Sequence, residues 1–387
     1  MVYDNLCRYS DGQAIALSCY RDYATGQEIE GWRDADARAG YTMHRIELLR
    51  PREHRRGHRL LSALSTFYVD IPVMFRVLMT VRRIVRRERI AVVCIGDLVY
   101  GGWLSVPLKH LLGCKVVIYV HGEEITTRSS GGLFDRLRPY FLAKADAIVA
   151  VSRFTRSALT SMMGVDERRI ALIPNGVDHD RFFPSPTEGI RERLGLQGKR
   201  VILSVGRLVE RKGFDRVIDA MANVIRSHSD AICLIAGTGP MRKALEMVVS
   251  EWRLEGVVRF LGAVSDTELR ELYSLADVFV LPNRQMSDGD TEGFGLVFLE
   301  ANACGTPVVS GRAGGALDAV EDGVNGINVD GASSDEIADA IRRLLDDHAL
   351  HARLRAGGLQ ASAAASWRSR TQAFLDLCDR VTGAPGA

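Results

Sequence analysis

The sequence predicts an α/β protein made of two doubly wound parallel-sheet domains facing a cleft. Three observations carry this. Short β-branched apolar runs alternate with longer segments of helical periodicity, the runs are continuously apolar as in strands covered on both faces, and 387 residues exceed one ordinary core while suiting two. In the first half the strands read "AIALSC" (14–19), "HRIELLR" (44–50), "RIAVVCIGD" (89–97), "KVVIYVHG" (115–122), "AIVAVS" (147–152) and "RIALIPNG" (169–176). In the second they read "RVILSVGR" (200–207), "AICLIAG" (231–237), "VRFLGAV" (258–264), "DVFVLPN" (277–283), "TPVVSG" (306–311) and "GINV" (326–329). The loop formers of "PNGVDHDRFFP" (174–184) place the hinge, so that one domain spans 1–178 and the next begins at 179. Ligands of such sheets gather at the carboxyl ends of the strands.

Composition narrows the class. With 47% hydrophobic and 25% charged residues the chain reads as globular and soluble. Its longest apolar stretch, 90–112, is broken by Asp97, Pro107, Lys109 and three glycines, which suits a buried strand and helix better than a membrane span. No signal peptide or transmembrane segment is evident. The seven cysteines are scattered, mostly in apolar runs, and are expected to be reduced core residues of a cytoplasmic protein. The net charge of +2 hides an asymmetry: residues 1–178 carry 26 Lys+Arg against 19 Asp+Glu, and the remainder is net acidic. Two domains facing different partners would account for that.

The chemistry gathers in two stretches of the second half. In "GRLVERKGF", Arg207 and Lys212 follow a strand and precede a helix, where two cations can neutralise a diphosphate without a metal. Taken alone they fit a solvated charge run equally well. In "DTEGFGLVFLEANACGTPVV" (290–309), the "EGFG" segment should turn tightly, its amides and the helix beginning near Gly295 facing an anion or sugar hydroxyls. Glu292 and Glu300 bracket it; alone they would read as helix-surface acids, and among Arg207, Lys212 and the glycines they read as a site whose carboxylates hold a sugar and a ribose. Asp288-Gly289-Asp290 invites a metal reading, but the cations already supply the positive charge, so no metal is expected. Gly237-Thr238-Gly239-Pro240 reads as a strand-to-helix turn rather than half of a dinucleotide fingerprint, and Ser333 to Glu336 as a capping box.

"GRLVERKGF", "GTGP", "DTEGFGLVFLEANACGTPVVSGRAGGALDAV", "HGEE" and "IPNGVD" together resemble the retaining nucleotide-sugar glycosyltransferases of family 4, which have the GT-B fold. The similarity runs from about residue 40 to about residue 380, and mannosyltransferases acting on phosphatidylinositol and related lipid acceptors are nearest. The resemblance implies an acceptor-binding domain (1–178), a donor-binding domain (179–365), and a C-terminal segment (366–387) whose helix crosses back to the first domain. It also implies site roles. Arg207 and Lys212 hold the donor diphosphate, with Gly206 beside them. Glu292, with the amides of Gly293, Phe294 and Gly295, holds the transferred sugar. Glu300 takes the ribose hydroxyls, His121 contacts the sugar near the reacting carbon, and the backbone of Gly262, Ala263 and Val264 cradles the base. The co-substrate is a GDP- or UDP-sugar, no metal or other cofactor is required, and the acceptor attacks the face that the nucleotide leaves. Asn175 and Asp178 in the hinge loop are candidates for cleft contact, though loop formation alone explains them.

Between Arg50 and Arg89 lie eleven arginines against Glu53, Asp70 and Glu88. On a helix over 73–89, Met74, Val77, Leu78, Val81, Ile84 and Val85 share one face, while Arg82, Arg83, Arg86 and Arg87 stand among the arginines covering the rest. Packing on a sheet explains the apolar stripe; the arginines suit an anionic membrane surface, which places the protein at the inner face of the plasma membrane. No nucleic-acid reading motif accompanies them. The N-terminus departs from the family pattern. "MVYDNLCRYSDGQAIALSC" reads as the end of a first helix entering the second strand, so the usual first strand and glycine-rich loop, roughly 30 to 40 residues, are expected to be missing and to leave a gap in the sheet. The expected function is transfer of a mannose- or glucose-type hexose to a lipid-linked or glycan acceptor. A nucleotide-sugar isomerase of the same fold and a truncated, inactive membrane-associated paralogue are the alternatives.

Overall fold

A computed structural model describes residues 2–23, 25–50, 70–126 and 133–383. Each of the twelve predicted runs carries a strand. In the first half these are β1 (Ala16–Cys19), β2 (Met43–Ile46), β3 (Val92–Ile95), β4 (Lys115–Val120), β5 (Ala147–Ala150) and β6 (Ile170–Leu172). In the second they are β7 (Arg200–Val205), β8 (Ala231–Ala236), β9 (Val258–Gly262), β10 (Val278–Leu281), β11 (Val308–Gly311) and β12 (Gly326–Val329). Every ladder between them is parallel.

The second domain is one six-stranded sheet of order β12-β11-β10-β7-β8-β9. That is the doubly wound 3-2-1-4-5-6 arrangement, whose switch point lies between its first and fourth strands, here β7 and β10. The first-domain strands fall into a four-stranded sheet, β3-β4-β5-β6, and a separate pair, β1-β2. Among the described residues no strand joins the two. The helix Val2–Arg8 packs against β1 and against the C-terminal helix Trp367–Thr382.

Period-two alternation along β4 shows how the first sheet is covered. Val116, Ile118 and Val120 join a core with Val77, Val81 and Val85 of the helix Ile71–Arg87. Val117 and Tyr119 face the larger core, which continues through the second domain and includes Trp367, Phe374 and Leu377 of the C-terminal helix. That helix therefore crosses back to the first domain, with the rings of Phe374 and Tyr119 6.3 Å apart. The crossing is tied to the hinge. Val177 N–H donates to Ala365 O at 2.8 Å, and a Cβ on Gly176 would meet the Trp367 nitrogen at 2.8 Å, so only glycine lets the two connections lie side by side.

The helix Ile71–Arg87 ends where Arg89 takes a positive φ of 54°. Arg82, Arg83, Arg86 and Arg87 are exposed, and so, unexpectedly, are Ile71, Phe75 and Met79. Residues 51–69, with the arginines at 52, 55, 56 and 59, lie outside the described residues. Among the described residues no helix is long and apolar enough to cross a membrane. All seven cysteines are free thiols. Ser333 accepts from Glu336 N–H and opens the helix Ser334–Asp346.

Candidate active site between the domains

A cavity of about 230 Å³ lies between the two sheets. Its floor comes from the switch point. After β7 the chain passes Gly206, makes a single turn over Glu210–Lys212, and enters the helix Phe214–Val224. After β10 it turns through "EGFG" into the helix Leu296–Ala303, with Gly295 at φ 90° as its first cap residue. These two loops bring Lys212 and Glu292 together from 80 residues apart: Lys212 Nζ donates to Glu292 Oε2 at 2.5 Å. Arg211 donates to the same oxygen at 3.0 Å, and lies 3.4 Å from Asp290 and 3.9 Å from Glu123 of the first domain.

Lys212 and Glu292 are both more than nine-tenths buried. Burial works to raise the Glu292 carboxyl pKa, and the charges of Lys212 and Arg211 outweigh it, so the group sits below the usual carboxylate range. The acid is thus ionised and its two cations are held in place by it. An incoming diphosphate would meet preset positive charge rather than flexible surface lysines.

The glycines of "EGFG" have separate physical reasons. A Cβ on Gly293 would meet the His121 carbonyl oxygen at 2.0 Å, so glycine here is what lets the first domain close onto the loop. Gly295 needs its positive φ and lies under the Phe298 ring. Phe294 is buried in the core, leaving its backbone, not its ring, for a ligand.

From the first domain, His121 follows directly on β4 and lines the cavity with Glu123 and with Asn175 of the hinge loop. Glu124 Oε1 accepts from His121 N–H at 2.7 Å, fixing the backbone there. Burial pushes the Glu124 carboxyl up to about 7 and the His121 imidazole down to about 4. His121 is therefore neutral near pH 7. Asn175 Oδ1 is buried without a hydrogen-bond partner, an acceptor left for a ligand hydroxyl.

The remaining candidates stand as follows. Arg207 is exposed and outside the cavity lining, because Leu208, fully buried, takes the inward position beside it. Glu300 is buried on the helix Leu296–Ala303, accepts from the Tyr273 hydroxyl at 3.0 Å, and is raised by burial to about 7. Gly262, Ala263 and Val264 form the end of β9 and the turn after it; Gly262 has φ 74° with open space around it, and its carbonyl accepts from Gly237 N–H at 2.7 Å. A Cβ on Gly237 would strike the Gly206 carbonyl at 1.9 Å, so "GTGP" is the close turn that lets the loops after β7 and β8 touch. Asp178 is buried by the hinge, accepting from the Tyr9 hydroxyl at 3.2 Å and the Asp180 amide at 3.0 Å, and does not line the cavity. Asp288 caps its own turn, accepting from Asp290 N–H. Among the described residues no cluster of three or more His, Cys, Asp and Glu comes together at metal-binding spacing.

Sequence reasoning missed Arg211, Glu123 and Tyr273. Arg211 was visible in "ERK" beside Lys212, but nothing local says that it turns inward. Tyr273 carried no signal; it lies 27 residues from Glu300 in an ordinary helical pattern.

Comparison with known proteins agrees with this geometry. The family described as "Glycosyltransferase Family 4" matches residues 35–181, and "Glycosyl transferases group 1" matches residues 187–360. A GDP-mannose-dependent alpha-(1-6)-phosphatidylinositol monomannoside mannosyltransferase of Mycolicibacterium smegmatis is 34% identical over 322 residues, 82% of each chain. A D-inositol 3-phosphate glycosyltransferase of Geodermatophilus obscurus is 36% identical over 71% of this chain and 62% of its own. In fold, the chain is similar to Anabaena HepE solved with UDP and glucose, at TM-score 0.77 and 19% identity over 97% of this chain and 94% of that one. Two parallel-sheet domains, a charged cleft at the switch point of the second, and relatives spanning most of the chain identify this protein as a family 4 glycosyltransferase of the GT-B fold.

Proposed function

We propose that the enzyme transfers a mannose- or glucose-type hexose from a nucleoside diphosphate sugar to a lipid-linked or glycan acceptor, with retention of configuration and without a metal. The observation that carries this reading is the Lys212–Glu292–Arg211 cluster, buried at the mouth of β7 and β10 and closed from the opposite side by His121. In the proposed step the bond from C1 to the β-phosphate oxygen breaks, and its electron pair passes to that phosphate. The acceptor hydroxyl bonds C1 on the face just vacated and gives its proton to the departing phosphate oxygen. Lys212 and Arg211, joined by Arg207 when a donor draws its side chain in, stabilise the growing negative charge. Glu292, with the backbone of Gly293, Phe294 and Gly295, orients the sugar against His121 and Asn175. Glu300 accepts from the ribose hydroxyls, and the open turn at Gly262, Ala263 and Val264 receives the base.

GDP-mannose is the donor we expect, because a relative 34% identical over most of its length is GDP-mannose-dependent. Calorimetry with GDP-mannose, UDP-glucose and UDP-N-acetylglucosamine, each with and without a chelator, tests donor and metal together. Binding of one donor, unchanged by chelator and abolished in Lys212→Ala, is the expected result. Absence of binding by any of them would overturn the reading, and chelator-sensitive binding would overturn its metal-free part. NMR of the anomeric centre of the product decides retention.

For the acceptor side, we propose that the helix Ile71–Arg87 rests on an anionic membrane, at the inner face of the plasma membrane. Ile71, Phe75 and Met79 are spaced four residues apart and all exposed, in line with the exposed arginines, so one stripe offers apolar contact and then positive charge. Co-sedimentation with phosphatidylcholine vesicles, with and without phosphatidylglycerol, should show binding only to the anionic set and its loss in Phe75→Ser. Equal binding to both sets, or binding to neither, would overturn this assignment without touching the donor site.

A further inference from the structure

The residue that holds His121 comes from the far end of the chain. The helix Val2–Arg8 places the Tyr3 hydroxyl 2.5 Å from His121 Nε2 and 2.8 Å from the Gly96 carbonyl oxygen, at the end of β3. The ring of Tyr3 meets those of Tyr119 and His121 edge-on, at 5.8 Å and 5.7 Å. Gly96 makes room for it: a Cβ there would lie 2.3 Å from the Tyr3 ring. Three elements far apart in sequence thus converge on one imidazole that lines the cavity.

A phenol has one proton to give. Burial raises the Tyr3 hydroxyl far above its ordinary range, so it stays protonated. The Gly96 carbonyl can only accept, which directs the phenol proton toward it. The oxygen's lone pairs then face Nε2, and a 2.5 Å approach is bonding only if Nε2 carries the ring's proton. Among the described residues nothing bonds Nδ1, so in this tautomer Nδ1 is an acceptor available to a ligand. We propose that Tyr3 is a positioning residue for His121: donating to Gly96 O and accepting from Nε2–H, its hydroxyl fixes the ring as the Nε2–H tautomer with Nδ1 as the acceptor offered to a donor sugar hydroxyl. The role of Nδ1 rests on the transferase reading above; the tautomer does not.

The test is nitrogen-15 NMR of the imidazoles in the full chain, with the His121 signals assigned by their loss in His121→Gln. At pH 7 His121 should show a protonated Nε2 and an unprotonated Nδ1. Tyr3→Phe keeps the ring and removes the hydroxyl; it should give a mixture of tautomers and lower kcat about tenfold, the scale of one orienting hydrogen bond, with little change in donor KM or melting temperature. Gly96→Ala, which displaces the ring, should reproduce both effects. A protonated Nδ1 in the wild type overturns the proposal, as does a single Nε2–H tautomer surviving in Tyr3→Phe, or tautomer mixing that leaves kcat unchanged. If the wild type transfers no sugar from any donor, the functional reading above fails, and the tautomer signal by itself decides whether Tyr3 positions His121.

Discussion

Among the described residues the two domains share strand count and parallel topology but differ in how their sheets are joined. In the second, six strands form one ladder, and the charged groups stand at the switch point of that continuous sheet. In the first, β1-β2 and β3–β6 are separate among the described residues, and the site receives one imidazole from the residue after β4, whose backbone N–H is held by Glu124 and whose ring is held by Tyr3. The charged cluster therefore sits on the domain with the continuous scaffold, while the first domain contributes His121, tied by individual bonds. Substitutions should separate these contributions.

The largest effect is expected at the cations. Lys212→Ala removes the shorter of two bonds to Glu292 Oε2 and leaves Arg211 alone on a buried carboxylate. By analogy with other preorganised charge-stabilising groups, kcat/KM should fall by about 10³-fold, and donor affinity with it. Arg211→Ala tests whether the bridge to Glu123 matters as well: it should cost less in donor binding and more in the closing of the domains. Equal losses in the two variants would mean that the cluster acts only as charge.

Each domain also hides one carboxyl raised by burial to about 7 from an ordinary 4.5, Glu124 in the first and Glu300 in the second. The folded state binds these protons more tightly than the unfolded chain, so each group contributes no penalty below about pH 4.5 and a growing one up to about pH 7. Folding stability should fall as pH rises through that window, by roughly 3 kcal/mol per group if the full shift is expressed. Glu300→Gln and Glu124→Gln should each flatten about half of the slope in melts between pH 5 and 8. Donor binding should respond in the opposite sense only through Glu300: ribose hydroxyls favour the ionised acid, so donor affinity should rise between pH 6 and 8 in the wild type and in Glu124→Gln, and be flat in Glu300→Gln.

Gly293→Ala probes the seam itself. Its Cβ would lie 2.0 Å from the His121 carbonyl, so the domains must part by about an ångström, and such a displacement of reacting groups can cost about 10²-fold in kcat. If Lys212, Arg211 and Glu300 carry most of the donor binding, as proposed above, donor affinity should change far less. A parallel loss of affinity would place the His121 backbone in the donor site rather than beside it.

The pattern of what was legible follows the same division. Continuous apolar runs mark strands buried on both faces, and all twelve were placed from them because that signal is local. Lys212 and Glu292 were legible because each lies in a short glycine-rich turn after a strand, where doubly wound sheets bind ligands. Which cation turns inward was not legible: Arg207 and Arg211 differ only in that Leu208 takes the buried place next to the first, while the turn at Glu210–Lys212 carries the second inward. Tyr3 was beyond reach, since its partner is 118 residues away and a tyrosine in a short amphipathic helix has many ordinary explanations. The exposure of Ile71, Phe75 and Met79 was hidden by the reverse problem, an apolar pattern wider than the face that the sheet covers.

The smallest expected effect lies at the outer rim of the seam. Arg153, at the start of the helix after β5, meets Asp318 of the second domain through its side chain at 2.6 Å and its backbone N–H at 3.0 Å. The Arg153 side chain is 75% exposed, so solvent and salt screen the charge pair, and Arg153→Ala should cost a few tenths of a kcal/mol in stability. The backbone bond survives that change and is lost in Asp318→Ala, which also removes a nearly buried acid. If the rim holds the domains together, Asp318→Ala should raise donor KM two- to threefold while Arg153→Ala leaves it alone, because only the first removes the bond from the Arg153 backbone N–H to the Asp318 carboxylate. Equal and salt-sensitive effects of both substitutions would instead assign the contact to long-range charge, and would leave the Gly293–His121 approach as the interaction that sets how closely the two domains meet.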